Sequence, residues 1–111
     1  MFFIRTFKLD VDPEGELFNI HDVILRERTV GFFRRMEEAF LAVSNNRMDI
    51  FEDGYYNYAV IERVGQGLYP RVNELQWFFY DRQDRSVLTV TRPAILGIEH
   101  GNNNILAPVV G

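Results

Sequence analysis

The stretch NELQWFFYDR, residues 73–82, decides the architecture. Its alternation predicts a strand in which Leu75, Trp77 and Phe79 point to one side while Phe78 and Tyr80 point to the other. A strand with rings on both faces has to be covered on both, and a single helix covers only one. The second cover must be the chain's own loops and tail, another copy of the chain, a different protein, or a stacked base. Gln83-Asp84-Arg85 reads as a turn, so SVLTVTR at 86–92 becomes the other arm of a hairpin, closed by Pro93, which has no N–H to donate.

Upstream, YYNYAVIERV at 55–64 has the aromatic and β-branched content of a strand, and Gly65-Gln66-Gly67 ends it. Near the start, Phe3, Phe7, Leu9 and Val11 form an apolar face interrupted by Arg5. In TVGFFRRMEEAFLAVSNN, the residues Phe32, Phe33, Met36, Ala39, Phe40 and Val43 recur at helical spacing, which predicts an amphipathic helix over about 30–44. Thr29 is the expected N-cap, and Asn45 or Asn46 the left-handed stop. Met48 to Phe51 reads as a short strand, and HDVILRER at 21–28 has no clear assignment. One helix followed by hairpin-connected strands predicts an α+β domain: an antiparallel sheet of about five strands with the helix on one face.

DVDPEGEL, residues 10–17, has the acid spacing of the first half of a calcium loop. Its flank is a strand, however, and the place where such a loop needs a bidentate Glu holds His21. Asp12-Pro13-Glu14-Gly15 has the chemistry of a tight turn, with a return strand from Glu16 to about Ile20, so no metal is assigned.

The 111 residues suit one domain spanning 1–111, with 97–111 read as an extended or partner-docking tail. Aromatic residues make up 14% of the chain, so ring burial should supply much of its stability. Twelve basic against sixteen acidic residues give a formal charge of −4, which disfavours nucleic acid. The absence of cysteine removes disulfides, thiol nucleophiles and sulfur-ligated zinc. No apolar run approaches a membrane span, and the expectation is a soluble, cytoplasmic protein that makes no membrane contact.

Candidate chemistry is sparse. His21-Asp22 is half of a metal or hydrolytic pair at best, and His100 lies in a Gly/Asn-rich segment. The two serines, Ser44 and Ser86, lack a nucleophile elbow, and no glycine pattern forms a phosphate cradle. Glu62, flanked on its own face by Val60 and Val64, is either a general acid with Glu74 as companion or the carboxylate of an ion pair with Arg71, Arg82 or Arg92. No cofactor is implied.

The run YNYAVIERVGQGLYP followed by NELQWFFYD resembles small uncharacterised bacterial and phage-type proteins. The likeness rests on Tyr58, Val60, Ile61 and Glu62 in one strand, Gly67, Tyr69 and Pro70 in a turn, and Glu74 and Trp77 in the next strand. It covers 55 to about 93 and implies no activity and no site.

The reading that follows is a noncatalytic protein-interaction or accessory module, acting through a protein partner or a second copy as a homodimer. Tyr56, Tyr58, Tyr69, Trp77, Phe78 and Tyr80 are its anchors. A small enzyme or ligand-binding protein using Glu62, Glu74 and His21 is the alternative. Single-strand nucleic-acid binding, with Arg71, Arg82, Arg85 and Arg92 interleaving the rings, is the third.

Overall fold

A computed structural model of the chain describes residues 1–10 and 24–96, and the backbone of 104–105. In chain order the elements are β1 (Phe2–Leu9), β2 (Ile24–Phe33), α1 (Met36–Ser44), β3 (Tyr58–Val64), β4 (Arg71–Asp81), β5 (Ser86–Val90) and the two-residue β6 (Asn104–Ile105). The sheet is antiparallel in the order β2-β1-β3-β4-β5, with β6 pairing Arg71 and Val72 of β4. This is the expected α+β architecture, with α1 packed on one face. The Asp12–Gly15 turn, the Glu16–Ile20 strand, His21, His100 and the tail lie outside the described residues, apart from the backbone of β6.

Two apolar layers sandwich the sheet. On the helix side, Ala39, Ala42 and Val43 of α1 meet Ile4, Ala59, Ile61, Phe78 and Tyr80, with Phe51 and Tyr56 from the connection that precedes β3. On the other side Phe7, Leu9, Tyr58, Val60 and Trp77 form a second cluster, covered by Phe79, Val90, Ile95 and Leu96. Ile95 and Leu96 belong to a short 3₁₀ turn, Ala94–Leu96, that follows Pro93. Rings hold both layers: Phe51 stacks on Tyr80 at 5.2 Å, Phe40 tilts against Phe78 at 5.4 Å, and Phe7 tilts against Trp77 at 5.2 Å.

The helix begins at Met36, and Arg35, in extended conformation, caps it without a side-chain bond. Thr29, Phe32 and Phe33 belong instead to β2. Strand wins there because Thr, Val and Phe suit a pleated surface, Gly31 weakens a helix, and the ladder along β1 satisfies the backbone. The two phenylalanines consequently part: Phe33 packs on the helix-side cluster, while Phe32 lies against Phe3 with ring centroids 5.6 Å apart. The expected Met48–Phe51 strand is replaced by two 3₁₀ turns, Arg47–Asp49 and Glu52–Gly54, and Asn46 takes the left-handed stop with φ 45°.

Asn57 ties the layers' frame together. Its side-chain amide accepts from the Leu9 N–H and donates to the Leu9 carbonyl, both at 2.9 Å, so it replaces one rung of the β1–β3 ladder. Its own N–H donates to Phe7 and its carbonyl accepts from Tyr80. At the β4–β5 turn, Asp81 accepts from the N–H groups of Gln83 and Asp84, the local bond that favours aspartate in turns.

Two stability outcomes are expected. Phe51→Ala empties a fully buried site and should cost about 3–5 kcal/mol in urea unfolding. Asn57→Ala removes two hydrogen bonds and leaves the Leu9 amide and carbonyl to be satisfied otherwise, which should cost about 1–3 kcal/mol.

Candidate functional site

The carboxylates named in the sequence do meet. Glu62 of β3 and Glu74 of β4 are cross-strand partners, brought into register by a bulge after Ile61 in which Leu75 is the extra residue. Glu62 is held by Arg5, Nη1 to Oε2 at 3.3 Å, and the other arm of Arg5 reaches Glu27 of β2 at 2.9 Å. Glu74 accepts from the Trp77 indole N–H at 2.9 Å and pairs with Arg92. The expected partners of Glu62 were Arg71, Arg82 or Arg92, and the structure replaces them with Arg5. Sequence reasoning registered Arg5 only as a break in an apolar face, because nothing local reveals that β1 lies beside β3.

The result is a polar ladder across the sheet: Glu27, Arg5, Glu62, Glu74 and Arg92. Burial pushes the Glu62 carboxyl above the usual carboxylate range; the Arg5 guanidinium opposes that shift and the neighbouring Glu74 charge adds to it. Each carboxylate of the pair is capped by its own arginine, and Glu74 is further used by the indole. That arrangement suits a structural ion-pair network, and it gives neither carboxylate an uncommitted face towards a substrate. Among the described residues no group of three His, Cys, Asp or Glu is placed to hold a metal ion.

Of the aromatic anchors, Tyr56, Tyr58, Trp77, Phe78 and Tyr80 are buried, and Tyr69 alone is exposed, at 71%. The five are interior because the two clusters close over them from both sides of the sheet. Exposed apolar side chains among the described residues include Ile24, Leu25 and Phe32 on β2, Leu41 on α1, Met48 in the turn after α1, Leu68 beside Tyr69 at the β3–β4 connection, Leu75 on β4 and Leu88 on β5. For the nucleic-acid arginines, Arg92 is committed to Glu74 and to the Leu96 carbonyl, so it does not front a stacking surface.

A pocket of about 570 Å³ opens on the helix side of β2, floored by Ile4, Val30 and Gly31 and walled by Ala42, Met48 and Ile50. A Cβ added at Gly31 would meet nothing within 4 Å, so the floor is open there. Arg28 forms one rim and is held four ways: to Thr6 Oγ1, to the Ile50 carbonyl, to Glu52 at 2.7 Å, and over the Tyr56 ring at 4.2 Å. The far wall is costly to build. Asn46, Met48, Asp49, Glu52 and Asp53 all have φ between 45° and 52°, a region that disfavours residues with a Cβ. Asn46 supports the turn by donating to Asp49 and accepting from the Phe51 N–H. Sequence reading missed this site; the signal available was the density of Asn, Asp and Gly between Asn45 and Gly54.

No family model matches this chain, and no curated protein or solved structure matches it. Among the described residues no helix is long and apolar enough to cross a membrane.

Arg5→Met should destabilise the fold by about 3 kcal/mol at neutral pH, since it leaves Glu62 buried without its cation. The raised Glu62 value also fixes a sign. The folded state holds that proton more tightly than the unfolded chain, so this carboxyl contributes stability at low pH that is lost as pH rises through its folded value. Glu62→Gln should remove that component from a series of urea melts spanning the acid range.

Proposed function

We propose that the chain is a noncatalytic interaction module whose working surface is the flank of β2. The observation that supports this most directly is β2 itself: a strand of 10 residues at the sheet edge, on whose outer side no strand pairs among the described residues. It carries Ile24, Leu25 and Phe32 exposed at 43%, 50% and 59%. Long exposed edges with apolar side chains are templates for association. The aromatic surface read from the sequence is mostly interior, so the anchors of this module are the residues beside β2, with Phe32 and Met48 foremost.

The enzymatic alternative draws support from the Glu62–Glu74 pairing, but the arginine on each carboxylate favours a structural role. A turnover found for the purified chain and abolished in Glu62→Gln at unchanged stability would move the assignment there.

A photo-crosslinking amino acid in place of Phe32 tests the proposal in the cells that make the protein. We expect one discrete protein adduct, and re-formation of the same complex from purified components. A crosslink to a second copy would make the module a homodimer. Adducts no more frequent than from a probe at Leu68 would refute the β2 flank as the working surface.

A further inference from the structure

We infer that the partner of this module is an acidic, extended segment that adds to the outer edge of β2 as a further strand and seats one apolar side chain in the pocket beside it. The inference rests on the interaction reading above and specifies what that surface takes. A strand laid along β2 presents its side chains alternately to the two faces of the sheet. It would meet Phe32, which lies against Phe3 and also borders the opening, together with Ile4, Val30 and Gly31 of the opening's lining, so this edge offers apolar contact. Main-chain bonds to the edge supply affinity in such complexes, and pockets for alternate side chains supply selectivity. Gly31 fits this use, because a glycine within a strand often marks the close approach of another backbone.

Charge narrows the partner. Residues 24–35 carry Arg26, Arg28, Arg34 and Arg35 against Glu27, four minus one, or a formal +3 in a chain of −4 overall. Glu27 is committed to Arg5, Arg28 to Glu52, and Arg35 lies 4.0 Å from Glu38, while Arg26 and Arg34 make no ion pair among the described residues. Of the charged pocket residues, Arg28 and Glu52 pair with each other and Asp49 accepts from Asn46 and from the Asp53 N–H, which leaves Arg47 without a partner of its own among the described residues. A second copy would bring the same guanidinium groups to the contact, and like charges facing each other across strands destabilise pairing. An acidic segment with alternating apolar residues satisfies the edge, the pocket and the charge together.

The test uses synthetic peptides of about nine residues, the length of a long natural strand, alternating Glu with Phe or Val. Controls are a Lys-for-Glu version and a version N-methylated at alternate backbone nitrogens. Binding to the full chain is followed by amide chemical shifts and by calorimetry. We expect the acidic peptide to bind, with shifts confined to β2 and residues 46–52. Affinity should fall about tenfold or more in the Arg26→Glu/Arg34→Glu double variant, and the N-methylated peptide should not bind. Gly31→Val fills the floor without a clash and suits a strand, so it should fold at least as stably as the parent and bind at least about tenfold more weakly. Equal binding of the Lys peptide, indifference to N-methylation, shifts mapping away from β2, or no binding by any peptide would overturn the inference. A partner crosslinked through Phe32 alongside such a failure would leave the interaction module standing and remove strand addition alone.

Discussion

The structure depends on β3 being dry on both sides. Ala59 and Ile61 face the helix while Tyr58 and Val60 face the second cluster, so neither surface of the central strand can be left to water. Everything else follows from meeting that double demand with 111 residues. One helix of nine residues supplies the first cover, chiefly through Ala39, Ala42 and Val43, whose small size lets it sit close to the sheet. The second cover is assembled from rings on the sheet itself and from the turn that carries Ile95 and Leu96. Apolar burial at about 25 cal/mol per Å² makes such rings the main source of favourable free energy.

The need for two covers was legible in β4, the neighbour of that strand. Rings alternating to both sides in LQWFFY required two layers, and two layers are present. The hairpin from β4 to β5, the strand expected over 55–64, which runs Tyr58–Val64, and a left-handed stop at Asn45 or Asn46, which falls on Asn46, were also readable, because each rests on local chemistry. What was not readable depended on distant pairing. The segment TVGFF satisfies helical and strand patterns alike, and only the neighbouring β1 ladder settles it. The salt-bridge partner of Glu62 is 57 residues away in the chain, and no periodicity announces it. The burial of Tyr56, Tyr58, Trp77, Phe78 and Tyr80 was similarly hidden, since the sequence shows that a second cover exists but not that the chain provides it.

The proposed working surface lies where that covering stops. β2 sits beyond the reach of both clusters along much of its length, and the residues from Ile24 to Glu27 are exposed on either side. Beside it the chain accepts a run of unfavourable backbone angles between Asn46 and Asp53 to hold an open hollow against the sheet. A fold that needed only stability would place glycine or asparagine at Met48, Asp49, Glu52 and Asp53. The strained wall and the uncovered strand are neighbours, and both leave apolar surface in contact with water.

The ladder of Glu27, Arg5, Glu62, Glu74 and Arg92 has a consequence for how the chain finds its alignment. In most sheets a slip of one residue is forbidden because it turns greasy groups outward. Here β3 is greasy both ways, and sliding it would exchange Val60 for Ile61 with little loss. The charged rungs and the clasp of Asn57 on Leu9 break that degeneracy, for a displaced Glu62 would face the helix layer, away from its guanidinium. Polarity in the middle of this sheet therefore acts as an index mark, selecting one threading among several that oiliness alone would tolerate.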